Sequence, residues 1–194
     1  MITVSQSAEL WAVTPDAEAL IDRCARVSHQ SDDRSGTDTV PFIRRLISVG
    51  HLSVLEHASA TIAFITDRGV SHELVRHRLC AFTQESTRYC RYADGIRIVV
   101  PPGLDVDAII HDIAEDLYCD LLDDDVKPEI ARAVLPTCLA TQIVVTANLR
   151  QWRHMLTVRL HPSAHPQMRE LMRMAGRILL AECPTVFEEF RDIC

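Results

Sequence analysis

The sequence predicts an α/β (α+β) fold, one domain with a central mixed sheet and flanking helical clusters, on three observations. Short β-rich runs such as 58–66 (ASATIAFIT) and 139–147 (LATQIVVTA) are spread along the chain rather than gathered in one block. Segments with apolar residues at helical spacing lie between and after them. At 194 residues, 47% hydrophobic and 24% charged, the chain has the composition of an ordinary globular domain, and residues 1–194 are expected to form one.

In chain order, residues 1–13 mix Ile2, Val4, Leu10, Trp11 and Val13 with polar neighbours and read as one or two short strands. Thr14-Pro15-Asp16 reads as a helix start, with Leu20, Ile21, Cys24 and Val27 at helical spacing behind it. Residues 28–38 form a polar loop. A second helix from Thr39 carries Phe42, Ile43, Leu46 and Ile47 on one face and ends at Gly50. After the run 58–66, Ser71 is placed to cap a short helix carrying Glu73 towards Arg76. A strand is expected over 96–100, stopped by Pro101-Pro102-Gly103, then helices over 105–122 and 128–134. The acidic run 123–125 reads as a solvated helix end. The strand 139–147 leads into a helix over 148–160. The last helix, 165–183, buries Met168, Leu171, Met172, Ala175, Ile178 and Leu179, a core stripe. Trp11 and Trp152 are expected to pack rather than stack on a ligand.

The net charge of −7 argues against a general nucleic-acid surface, so a phosphate ligand needs a local basic cluster. All the basic residues except Lys127 are Arg. Seven cysteines without a C-x-x-C pair predict reduced, mostly buried thiols. No stretch is long and apolar enough for a membrane span and no basic-then-apolar leader opens the chain, so the protein is expected to be cytoplasmic and to need no membrane. Six glycines, none closer than eight residues apart, exclude G-x-G-x-x-G and the phosphate-binding P-loop. His72 and His77 are five apart, about 140° around a helix, which does not suit one zinc ion, and no metal is expected.

The stretch 73–92 (ELVRHRLCAFTQESTRYCRY) carries the chemistry. Arg76, Arg78, Arg88 and Arg91 fall within it, in a chain that is acidic overall. Val75, Leu79, Cys80, Ala81 and Phe82 argue that the segment is partly buried, and buried arginines require anions. Arg76 and Arg78 are expected on one side of an extended segment with His77 on the other. Residue types alone leave two readings open, a nucleotide-like anion site and a structural salt-bridge network.

Arg76-His77-Arg78, seven residues and then Ser86 give RHR-x7-S, which resembles the signature of the flavin-dependent thymidylate synthases. The flanks RGVSHELVRHR and QESTRY agree with it. So do 25–28 (ARVS), 50–57 (GHLSVLEH), 131–136 (ARAVLP), 148–150 (NLR) and 160–165 (LHPSAH) following Arg159. The resemblance covers nearly the whole chain.

What it implies is a mixed α/β core with a flavin held outside any Rossmann fold, between subunits of a homotetramer. The implied reaction is methylation of deoxyuridylate (dUMP) to thymidylate (dTMP). Methylenetetrahydrofolate is the carbon donor and NADPH the reductant, through FAD. Ser53, Arg76, His77, Arg78, Gln84, Asn148, Leu149, Arg150 and His154 match positions that touch FAD. Ser28 and His51 match positions near the flavin or the folate. Glu73, Arg76, Gln84, Glu85, Ser86, Thr87, Arg88, Arg132 and Arg159 match positions that bind dUMP. Arg159 matches the activating residue. A guanidinium facing the O2/N3 edge of uracil stabilises the negative charge that makes C5 nucleophilic, so neither Ser86 nor a cysteine is assigned as nucleophile. Glu56-His57 is read as supporting His51, and His29, His111 and His161 match no role.

Two departures from the family pattern are a histidine at 154, where many relatives have asparagine, and a glutamate at 73, where others have glutamine. An ionised carboxylate cannot donate a hydrogen bond, which bears on the base contact. The rival readings are a flavoenzyme of the same architecture acting on another pyrimidine nucleotide and, from another class, a nucleic-acid-binding module using 76–91 and its aromatic residues.

Overall fold

The computed structural model describes residues 2–28, 30–31, 35–92, 95–104 and 110–194, with the backbone alone for 110–112. The chain opens with strands β1 (Ile2–Thr3) and β2 (Ser7–Val13), then helices α1 (Ala17–Val27) and α2 (Thr39–Ser48). A 3-10 turn (Leu52–His57) leads into β3 (Ser59–Asp67), helix α3 (Arg68–Leu74) and β4 (Ala81–Gln84). Next come β5 (Arg97–Ile98), α4 (Ile110–Asp123) and α5 (Pro128–Ala131), which runs on as a 3-10 turn over Arg132–Val134. The chain closes with β6 (Ala140–Asn148), α6 (Leu149–Arg159) and α7 (Pro166–Glu182). One sheet has the order β2-β3-β6-β4, and β1 pairs parallel with β5. The α/β class holds. The expected start of the helix at 105 and His29 lie outside the described residues, as does the side chain of His111.

The chain groups into two compact units. The first holds Met1–Ser7, Phe64–Arg76 and Phe82–Val144, around a core of Tyr92, Ile96, Ile98, Tyr118, Cys138 and Leu139. The second holds Ala8–Ala63, His77–Ala81 and Val145–Cys194. There α6 packs on α7 and on the 52–57 turn, and α1 packs on α2. The apolar stripe of α7 is buried as expected at Met168, Leu171, Met172, Ala175 and Leu179, whereas Ile178 is half-buried. Trp152 is fully buried and donates from Nε1 to the Ala60 carbonyl at 3.0 Å. Trp11 does not pack: it is 53% exposed, with its indole N–H on Glu9. Val27 is likewise exposed.

Several expected elements are shifted. Helix α3 begins at Arg68, not near Ser71, because Asp67 at the end of β3 accepts from the Val70 amide at 2.7 Å and caps it. Ser71 is buried inside the helix and returns its hydroxyl to the Arg68 carbonyl. The strand expected over 96–100 is two residues long because its partner β1 is equally short. Val99 then bonds to the Cys138 carbonyl instead. Residues 75–79 form turns rather than an extended segment. Only Cys138 and Cys183 are buried, and the other five cysteines are half-buried. Asp123, Asp124 and Asp125 are exposed at the end of α4, as a solvated helix end should be.

Candidate active site

In the second unit, α6 gathers most of the sequence-predicted residues. Asn148 ends β6 and caps the helix, its Oδ1 accepting from the Gln151 amide at 2.8 Å. Leu149 is fully buried, its amide donating to the Ala58 carbonyl. Two residues after the cap, Arg150 reaches Glu56 at 2.6 Å. Glu56 therefore anchors Arg150, not His51 as the sequence reading had it. Helical spacing puts His154, four residues further, on the same face as Arg150, and Arg159 ends the helix.

Two open cavities meet this helix. The first, of about 680 Å³, is lined by Asn148, Arg150, His154, Gln151, Glu56 and Leu79 among others. The second, of about 900 Å³, takes its walls from Ser28, Phe42, Arg45, His51, Ser53 and Arg150. Leu52 and Arg150 belong to both. Four polar residues picked out by sequence, Ser28, His51, Ser53 and Arg150, thus share one cavity wall although they span 122 positions of chain.

His77 is 8% exposed while Arg76 and Arg78 on either side are exposed. The expected split of the RHR triplet is present, produced by a turn. Arg159 donates from Nε to His77 Nε2 at 3.0 Å, and the His154 ring meets that of His77 edge-on at 6.0 Å between centroids. Burial, the Arg159 cation and His154, in that order, push the His77 imidazole down to about 4.

The first unit holds a second cluster on and after β4. The Gln84 amide nitrogen donates to Ser71 Oγ at 2.9 Å and Thr141 Oγ1 at 3.2 Å. Glu85 accepts from the Tyr92 hydroxyl at 2.6 Å, and burial together with that carboxylate drives the Tyr92 phenol far above its ordinary range. Ser86 opens a turn whose Tyr89 and Cys90 amides return to its carbonyl. Thr87 accepts from Arg132 Nη1 at 3.2 Å, while Arg88 lies 3.7 Å from Glu129, whose carbonyl accepts from Arg132 Nε. Two guanidiniums therefore converge on one short turn. Glu73 is half-buried on α3.

The premise that the arginines of 76–91 are buried does not hold. Arg76, Arg78, Arg88 and Arg91 are all exposed, as are Val75, Leu79 and Tyr89. Among the described residues the buried arginines are Arg26 and Arg153. Arg26 bonds Asp22 at 3.0 Å and also pairs with Asp38; Arg153 pairs with Glu189 at 2.8 Å and donates to the Val186 carbonyl. Carboxylates answer them both, as desolvated cations require.

Sequence reasoning missed Arg68. It donates to the Glu85 carbonyl at 2.8 Å, and its Nε is buried without a partner among the described residues. The signal was available, since a cation directly after a buried β-branched run has little water around it. Gln151 and Leu79, which also line the first cavity, stood beside quoted motifs.

Residues 9–185 match the family model described as thymidylate synthase complementing protein. A protein of Mycobacterium tuberculosis (strain ATCC 25618 / H37Rv) called flavin-dependent thymidylate synthase is 37% identical over 93% of this chain and 82% of its own. A protein of the same name from Geobacter sulfurreducens is 35% identical over 93% and 85%. The solved structure of a UMP/dUMP methylase, PolB of Streptomyces cacaoi, bound with 5-Br dUMP superposes with a TM-score of 0.86 at 26% identity, covering 99% of this chain and 97% of that one. Matched over most of its length by the family model and by these relatives, the chain belongs to the thymidylate synthase complementing protein family, that of the flavin-dependent thymidylate synthases.

Proposed function

We propose that the chain, acting as one synthase domain over residues 1–194, methylates dUMP to dTMP. FAD is its bound cofactor, NADPH its reductant and 5,10-methylenetetrahydrofolate its carbon donor. The observation that carries the reading is family membership across residues 9–185 with RHR-x7-S intact. The protein works as a cytoplasmic homotetramer whose sites are shared between subunits. No helix among the described residues is long and apolar enough to cross a membrane, and the reaction needs neither membrane nor nucleic acid.

The donor chemistry of the two cavities fits FAD. Arg45 and Arg150 offer cations to a diphosphate, Ser28, Ser53 and His51 offer hydrogen bonds, and Phe42, Leu46 and Leu52 offer apolar wall to a ring system. Arg76, His77, Arg78, Gln84, Asn148, Leu149 and His154 complete the proposed cofactor set. When bound, the flavin carries the reducing equivalents from NADPH.

On the nucleotide, Arg88 and Arg132 hold the phosphate with charge-assisted bonds. Ser86 and Thr87 contribute hydroxyls, and Glu73, Arg76, Gln84 and Glu85 line the rest of the site. Arg159 is the catalytic residue: its guanidinium lies on the O2/N3 edge of the uracil and stabilises the negative charge that C5 needs to become nucleophilic. No protein nucleophile is required. The test is Arg159→Lys, which keeps the charge and loses the planar fork. Flavin binding and its reduction by NADPH should persist while dTMP formation falls steeply. An unchanged rate of dTMP formation would overturn the role of Arg159.

A second reading, methylation of the ribonucleotide UMP, has one observation in its favour: the structural neighbour is a UMP/dUMP methylase.

A further inference from the structure

The turn proposed for the nucleotide phosphate, 86–91, is gripped at its neck by side chains from outside it. Glu85 follows β4 and opens the turn, its amide donating to the Gln142 carbonyl of β6 at 2.9 Å. Tyr92 stands where the chain leaves the turn, and its hydroxyl crosses back to Glu85 Oε1 at 2.6 Å. Arg68, the first residue of α3, donates from Nη2 to the Glu85 carbonyl at 2.8 Å, and its guanidinium also acts on the Tyr92 phenol. The amide, the carbonyl and the carboxylate of one residue are thus each held, and the last of these bonds closes the neck.

Tyr92 is almost wholly buried, and its ring meets that of the fully buried Tyr118, on α4, at 6.1 Å between centroids. A phenol taken that far from water needs an acceptor. Burial and the Glu85 carboxylate keep it protonated, so it remains a donor. Within the turn the bonds are local: the Ser86 carbonyl accepts from the Tyr89 and Cys90 amides, and Ser86 Oγ accepts from the Arg88 amide at 3.3 Å. They shape the turn, while the grip on Glu85 sets where it stands on the sheet.

We infer that Tyr92 and Arg68 are positioning residues of the nucleotide site, which act through Glu85 to hold Ser86, Thr87 and Arg88 beside Arg132 before phosphate binds. The inference rests on the reading of this turn as the phosphate site given above. What the grip contributes is pre-organisation: Arg88 and Arg132 are like charges on one turn, and a loose turn would let them part and would have to be ordered by the ligand.

Tyr92→Phe keeps the ring against Tyr118 and removes only the hydroxyl. In flavin-loaded protein, dUMP affinity should fall about tenfold, the lower end of the cost of a lost bond to a charged group, and KM for dUMP should rise in step. Flavin occupancy and the turnover number at saturating dUMP should stay at parent values. Arg68→Met should act in the same direction, and Arg68→Lys, which can still donate to the Glu85 carbonyl, should recover part of the loss. Hydrogen exchange gives a readout without catalysis: in nucleotide-free protein the amides of Glu85, Tyr89 and Cys90 should exchange faster in Tyr92→Phe, and those of α6 should not.

Parent-like dUMP affinity in Tyr92→Phe, or exchange in the turn that ignores the change, would overturn the positioning role. So would a drop in flavin occupancy and in saturated turnover as large as the drop in affinity, which marks general loss of structure. Weaker dUMP binding in Arg88→Ala with none in Tyr92→Phe would remove the inference alone. Unchanged dUMP binding in both Arg88→Ala and Arg132→Ala would remove the reading on which it rests.

Discussion

His77 links the chemistry of single residues to stability. An unfolded histidine takes up a proton near 6.5, whereas this one does so at about 4. The folded-state value is depressed, so the full stability is present above 6.5 and is lost as the pH falls towards 4, where the unfolded chain binds a proton that the folded chain refuses. The complete shift is worth roughly 3 kcal/mol. Urea midpoints should therefore drop between pH 7 and pH 5 in the parent, and the slope should flatten in His77→Gln; equal slopes would mean that another group governs it. At the turn after β4, Arg88→Ala or Arg132→Ala should weaken dUMP binding by about ten- to a hundredfold in titrations while FAD occupancy changes far less. Equal loss of both ligands would mark these arginines as structural. The separation of His77 from Arg76 and Arg78 was legible but its cause was not: alternation along an extended segment was expected, and a turn produces the split. The full exposure of the two arginines was not legible, because Val75 and Leu79 are apolar yet lie at the surface, and apolar residues are not all buried. Arg68 was illegible as a partner of Glu85 because the two meet only when the chain has turned through α3.

Helix boundaries carry the next set of consequences. Asn148 and Asp67 each accept an amide hydrogen at a helix start, at 2.8 Å and 2.7 Å. Truncating either to Ala should cost about 1 kcal/mol in a denaturant series. Ser71→Ala should leave the start of α3 intact, because the cap lies at Asp67; a loss matching that of Asp67→Ala would restore Ser71 as the cap. The α7 stripe offers a larger effect: Met172, fully buried, should cost about 2–5 kcal/mol on truncation to Ala. The long periodic helices α2, α6 and α7 could be read in advance, because ten or more residues of one spacing leave few alternatives. The two-residue strands and the start of α3 could not. A strand that short is defined by its partner, and the Asp67 cap is visible only once β3 is known to reach it.

At the scale of the molecule, the first unit holds the residues proposed for the nucleotide phosphate, and the second holds both cavities, His77 and Arg159. The family was legible because RHR-x7-S and five further motifs keep their order along the chain. Substrate choice was not, because Glu73 changes hydrogen-bonding capacity and sequence alone does not say which base tolerates it. A homotetramer should be seen by sedimentation of the flavin-bound protein; a monomer with full flavin occupancy would contradict shared sites. The most direct measurement supplies the purified, FAD-loaded protein with NADPH, methylenetetrahydrofolate and equal amounts of dUMP and UMP, and identifies the methylated product by mass. Formation of dTMP, dependent on both co-substrates and in excess over any methylated UMP, is the predicted result. No dTMP from protein that holds flavin, or methylation of UMP alone, would contradict the account.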